Sequence, residues 1–129
     1  MRALIVTNMY PSPARPALGS FVRDQVEALS RIPEVELEVF AFDPGGGGAY
    51  TRGARALRRR HGRDRFDVVH AHFGLSAWPA FAAHGKSRAV TLHGTDLAHP
   101  RSRLITVAAL PLLDLVATVS QPLARSVPK

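Results

Sequence analysis

The sequence predicts an α/β protein: a Rossmann-like, doubly wound parallel sheet of about five strands with helices on both faces. Two observations lead there. Short apolar runs alternate with amphipathic or basic stretches along the chain. Each apolar run is separated from the next by a stretch that reads as helical, which calls for parallel strands joined by right-handed crossovers. The expected strand order is 3-2-1-4-5. That order makes the first and fourth strands neighbours at the switch point, where ligands bind beyond the carboxyl ends of the strands.

The elements follow in order. Ala3 to Val6 is a short buried strand. Ser20 to Ser30 is a helix, since Phe21, Val22, Val26 and Leu29 recur at helical spacing while Arg23, Asp24 and Glu27 lie opposite. Ser20 is its expected N-cap, with Gly19 opening the turn, and Pro33 prevents its continuation. Val35, Leu37, Val39 and Ala41 then alternate with Glu34, Glu36, Glu38 and Phe40, a half-exposed strand ending at Asp43-Pro44. Gly45 to Gly48 is a loop. Thr51 to His61 is a basic helix, Phe66 to Ala71 a strand, and Leu75 to Ala83 a short Ala-rich helix. Ala89 to Leu92 is the fourth strand. Leu104 to Leu110 is helical, Leu113 to Val119 is the last strand, and Ser120 caps a final helical turn before Pro128.

Composition bounds the function. The length of 129 residues suits one domain, and 46% hydrophobic residues suffice for a core. Without cysteine the chain forms no disulfide and no thiolate metal site. The N-terminus lacks the apolar stretch of a signal peptide, and no run is long enough to span a bilayer. A soluble, cytoplasmic protein is expected. The net charge of +7 is carried almost wholly by arginine, with Lys86 and Lys129 the only lysines. Such a surface favours phosphorylated small molecules, acidic membrane or nucleic acid; alternatively the arginine richness carries no function.

The residues with chemical potential cluster after the strands. Asn8 to Gly19 is a Pro-rich loop ahead of a helix start, where Gly19 permits close backbone approach and the amides from Ser20 onward offer a seat for phosphate. The three-glycine dinucleotide fingerprint and the P-loop are both absent. His70 and His72 share a strand face, a spacing that suits two metal ligands, with His93 and Asp96 as further donors. No other His/Asp cluster supports a metal there, and none is expected; otherwise one histidine packs under the loops and the other bonds to backbone. His93-Gly94-Thr95-Asp96 is the sharpest signal. His93 leaves the sheet near the ligand rim, Gly94 permits a tight turn, and Asp96 can orient His93 or accept from a sugar hydroxyl. Ser120 with His93 and Asp96 is no hydrolase triad, because the nucleophile elbow is missing.

The basic stretch holds Arg52, Arg55, Arg58, Arg59, Arg60, Arg63 and Arg65, opposed only by Asp64. As a helix it turns Ala54, Leu57 and His61 inward. Arg52, Arg55 and Arg59 are then candidates for peripheral contact with the anionic inner face of a membrane, or the stretch is simply a solvated face. No aromatic residue interleaves with these arginines, which argues against nucleic acid.

Five segments taken together resemble family-4 glycosyltransferases. They are Val6-Thr7-Asn8-Met9-Tyr10-Pro11, the run Gly19 to Leu29, Phe66 to His72, Thr91-Leu92-His93-Gly94-Thr95-Asp96, and Asp114 to Ser120. The resemblance spans essentially the whole chain. It implies the N-terminal, acceptor-side domain of a GT-B enzyme that transfers sugar from a nucleotide-sugar donor to a sugar or lipid acceptor with retention, without metal or other cofactor. It further implies His93 beside the transferred sugar as the catalytic group, acting by hydrogen bonding. Gly19 would approach the donor diphosphate or the acceptor, and His72 and Asp96 would touch the acceptor, with Ser20 and Gly94 in the turns around them. No donor domain follows within residues 1–129, so the chain reads as one domain of a larger enzyme and as inactive alone. The competing expectation is a stand-alone binding module for phosphorylated ligands or anionic membrane.

Overall fold

A computed structural model describes residues 1–43, 45–46 and 48–129. Five strands form one all-parallel sheet: β1 (Arg2–Thr7), β2 (Glu36–Ala41), β3 (Arg65–His72), β4 (His84–Leu92) and β5 (Leu115–Thr118). Around it lie α1 (Ser20–Ser30), α2 (Ala49–His61), α3 (Ala77–Ala80), α4 (Thr95–Ala98), α5 (Pro100–Ala109) and α6 (Gln121–Ser126). Single 3-10 turns span Gly74–Ser76 and Leu110–Leu112.

The strand order is β2-β1-β3-β4-β5, which corrects the expected 3-2-1-4-5. Burial explains the difference. A central strand of a parallel sheet is covered on both faces and buries a run of apolar side chains in the core. β1 meets that demand: Leu4 and Val6 join the main core, and Ile5 on the opposite face is equally buried. β3, with Phe66, Val69 and Ala71 in the core, meets it too. β2 carries Glu36 and Glu38 and can sit only at the edge. The switch point therefore lies between β1 and β3.

Several element boundaries also move. Gly19, not Ser20, is the N-cap of α1; it takes a left-handed conformation, and its carbonyl accepts from Val22 and Arg23. In β2 the apolar alternation assigns Phe40 to the polar face, yet Phe40 is buried in the core while Ala41 is exposed. The stretch from Leu75 to Ala83 holds only a four-residue helix behind a 3-10 turn. β4 begins at His84, five residues before its apolar run, because its polar first half pairs with the start of β3. Ser120 does cap α6, its hydroxyl accepting from the Leu123 amide at 3.4 Å. Of the expected Asp43-Pro44 strand end and glycine loop, Pro44 and Gly47 lie outside the described residues.

At the amino ends of the strands a charged network ties β1, β2, α2 and β3 together. Arg2 bonds Glu38 at 2.7 Å, approaches Asp64 at 3.5 Å and lies 4.8 Å over the Phe66 ring. Buried His61 meets Asp64 at 2.8 Å, which with Arg2 holds the Asp64 carboxyl below the ordinary carboxylate range. Among the described residues, no helix is long and apolar enough to cross a membrane.

Candidate functional site

The site is assembled by register. Thr7 of β1 pairs with His72 of β3, and His72 pairs with Thr91 of β4. All three strands thus end at one rim, and the turns leaving them meet there. The turn after β1 closes at Gly19, whose φ of 66° suits glycine. A Cβ at Gly19 would collide with the Met9 carbonyl, so this glycine lets the helix start fold back onto its own loop.

His93 leaves β4 two residues beyond Thr91 and turns inward. Its ring lies 4.8 Å from the Phe21 ring in the first turn of α1 and 5.4 Å from the His72 ring. The turns carrying Gly19 and His93 therefore stand side by side at one rim of the sheet. His93 Nε2 lies 3.2 Å from His72 Nδ1. His72 in turn stacks on His70 at 4.6 Å, as two residues on one strand face must, and His70 Nε2 meets the Thr91 hydroxyl at 2.8 Å.

Asp96 organises this rim from below. It is fully buried, and its carboxylate accepts three backbone amides: Gly94 at 2.8 Å, and His93 and Gly74 at 3.1 Å each. Gly74 belongs to the turn after β3 and the other two to the turn after β4. One carboxylate thus pins both turns. Both turns are also conformationally demanding, with Phe73 at φ 79° and Gly94 at φ 108°. For a residue with a Cβ, as at Phe73, such a φ is strained, and it persists only where surrounding bonds over-determine it. The Phe73 amide donates to the Thr91 carbonyl at 3.0 Å, which supplies one such bond.

The electrostatics follow from burial. Burial pushes the His72 imidazole down to about 3, with the neighbouring His70 and His93 adding to the effect. His70 is lowered by burial and by His93. His93 is lowered by burial, against an opposing pull from the Asp96 carboxylate. At neutral pH the triad is a neutral hydrogen-bonding array.

The structure thus brings His70, His72, His93, Gly94 and Asp96 together, with Gly19 and Ser20 across the rim. Asp96, expected to face a sugar hydroxyl or to orient His93, has its oxygens committed to backbone. Phe21 and Phe73 escaped the sequence reading. Phe21 counts there as one more apolar position of α1, yet it is 49% exposed and packs on His93. Beside the β1 loop a pocket of about 390 Å³ is lined by Asn8, Tyr10, Arg15, Leu18, Phe42 and Asp43 among others, a size that suits a small organic ligand. Elsewhere, Glu38, His61 and Asp64 are a group whose ligand atoms lie within 4.8 Å of one another. That place is taken by the Arg2 guanidinium, and it lies at the opposite end of the strands.

A glycine-opened helix start and a histidine turn converging on the carboxyl rim of a doubly wound parallel sheet define a Rossmann-like domain. The sequence profile of Glycosyltransferase Family 4 matches residues 4–129, and the chain belongs to that family. No curated protein matches it.

Proposed function

We propose that this chain is the acceptor-side domain of a retaining GT-B glycosyltransferase, and that His93 sits beside the sugar as it moves from a nucleotide-sugar donor to a sugar or lipid acceptor. The observation that carries this reading is the 4.8 Å approach of His93 to Phe21 at the start of α1. It sets an imidazole next to a helix N-terminus suited to diphosphate, within the span of one sugar phosphate. His93 acts as a neutral hydrogen-bonding group on charge that develops in the transition state. Gly19 and Ser20 contribute backbone and helix dipole to the same ligand, and Gly94 lets the His93 turn close. At 2% exposure His72 reaches the ligand through His93 rather than directly. The pocket beside the β1 loop is the seat we assign to the acceptor.

In an enzyme that joins this domain to its donor domain, His93→Ala should lower kcat/KM by about 10²–10³-fold, the scale for removing one preorganised donor. Its unfolding midpoint should stay that of the wild type. Undiminished turnover in the folded variant would end the proposed role.

A second reading rests on α2. Arg55, Arg58, Arg59 and Arg60 are exposed, and none is ion-paired among the described residues. With Arg52 they form a cationic face suited to anionic lipid at the inner face of a membrane. Sedimentation with phosphatidylserine vesicles at low and high salt tests it. Absence of binding at low salt would dismiss the membrane contact and leave the transferase reading intact.

A further inference from the structure

We infer that His72 is a positioning residue that fixes the tautomer of His93, donating its Nδ1–H to His93 Nε2 and so holding the His93 proton on Nδ1. This rests on the reading of His93 as the group beside the ligand. The argument is one of proton accounting. The two ring nitrogens lie 3.2 Å apart, so one must donate and the other accept. His72 is 2% exposed and stays neutral at neutral pH, so it carries a single proton.

Two assignments follow. In the first, His72 bears its proton on Nδ1 and donates it, and its Nε2 is a bare lone pair. In the second, His93 Nε2–H donates to His72 Nδ1, which forces the His72 proton onto Nε2. That atom is buried and has no hydrogen-bond partner. The second assignment therefore orphans a buried N–H, the rarer defect in folded proteins; the first orphans only an acceptor. His93 Nδ1 has no partner among the described residues and is not buried, so in either case it faces solvent or ligand. In the first assignment it faces them as a donor.

Three contacts hold the pair in place. His70 stacks beneath His72 at 4.6 Å, Phe21 lies against His93, and Asp96 grips the His93 amide at 3.1 Å. The Asp96 carboxylate, which opposes the lowering of His93, binds the main chain rather than either ring. The consequence for chemistry is directional. A donor at Nδ1 stabilises a ligand oxygen that gains negative charge, whereas an acceptor there would bind a sugar hydroxyl.

Long-range proton–nitrogen correlation spectra of this chain with 15N-labelled histidine, at about pH 7.5, read the tautomer directly. The expected result is a single His93 species protonated at Nδ1. His72→Asn, whose amide can donate from nearly the same place, should keep it. His72→Ala should shift His93 toward the Nε2–H form that free histidine prefers. A wild-type His93 protonated at Nε2 would overturn the inference whether or not either variant folds, as would a folded His72→Ala with an unchanged His93 signature. Neither result touches the activity test of His93, which stands or falls separately.

Discussion

Replacing Asp96 with asparagine removes little volume and one charge, and it tests how the rim is held. One carboxylate oxygen accepts from Gly74 and His93, and the other from Gly94. Asparagine has one acceptor oxygen. Whichever way its amide turns, at least one backbone N–H loses its partner and faces an NH2 group instead. The bonds that survive go to a neutral oxygen rather than an ionised one. A hydrogen bond to a charged acceptor contributes about 1.5–3 kcal/mol. Loss of one such bond, with weakening of the others at a fully buried site, should cost about 3 kcal/mol. Urea unfolding of the 129-residue chain gives the number directly, as a lower midpoint at unchanged slope. The His93 amide should also lose hydrogen-exchange protection ahead of the sheet core. A change below about 1 kcal/mol with an unmoved His93 signal would refute the claim that this carboxylate pins both turns.

Gly19→Ala combines a φ of 66° with a clash against the Met9 carbonyl, whereas Gly94→Ala at φ 108° meets nothing within 4 Å. Thermal unfolding should rank the first as clearly worse, with the second confined to the backbone cost of about 1–3 kcal/mol; equal losses would contradict the packing. His70, His72 and His93 are all held below the ordinary histidine range by burial. The unfolded chain therefore takes up protons below about pH 6.5 while the folded chain does not. Stability should be full above that pH and fall as pH drops toward about 3, where folded His72 protonates. His72 alone sets a slope of about 1.4 kcal/mol per pH unit. Denaturant midpoints that stay flat between about pH 7 and 5 would be incompatible with a buried, neutral His72. Leu57, fully buried where α2 meets the core, should cost about 2–5 kcal/mol as alanine, and a loss under 1 kcal/mol in the same assay would mean α2 is not anchored there.

Much of the architecture was legible because periodicity reports burial. The helix from Ser20 to Ser30 and the parallel strands follow from spacing alone. Neighbour relations did not follow, since a strand's pattern says how buried it is and not which strand lies beside it. The glutamates of β2 were the available clue that it belongs at an edge. Phe40 was misassigned because an edge strand has less to cover, so a large ring can turn to the core from the face that its neighbours leave polar. At the rim, His93 stood out because it follows an apolar run. Its contact with His72 was not visible, because that contact needs the β3–β4 register. The bond between Asp96 and Gly74 was the least accessible. It joins a side chain to a backbone amide 22 residues away, and an amide carries no signature of its own.

The shared grip of Asp96 divides the rim into two mechanical parts. The turns after β3 and β4 are short and locked to one another, so lengthening either would strip amides from the carboxylate that serves both. Among the described residues the loop from Asn8 to Leu18 shares no such carboxylate with the other turns, and its side-chain link beyond itself is the Asn8 amide donating to the Tyr50 hydroxyl of α2 at 3.0 Å. Diversification of what the domain holds would therefore accumulate in that loop, while the histidine turn keeps its shape.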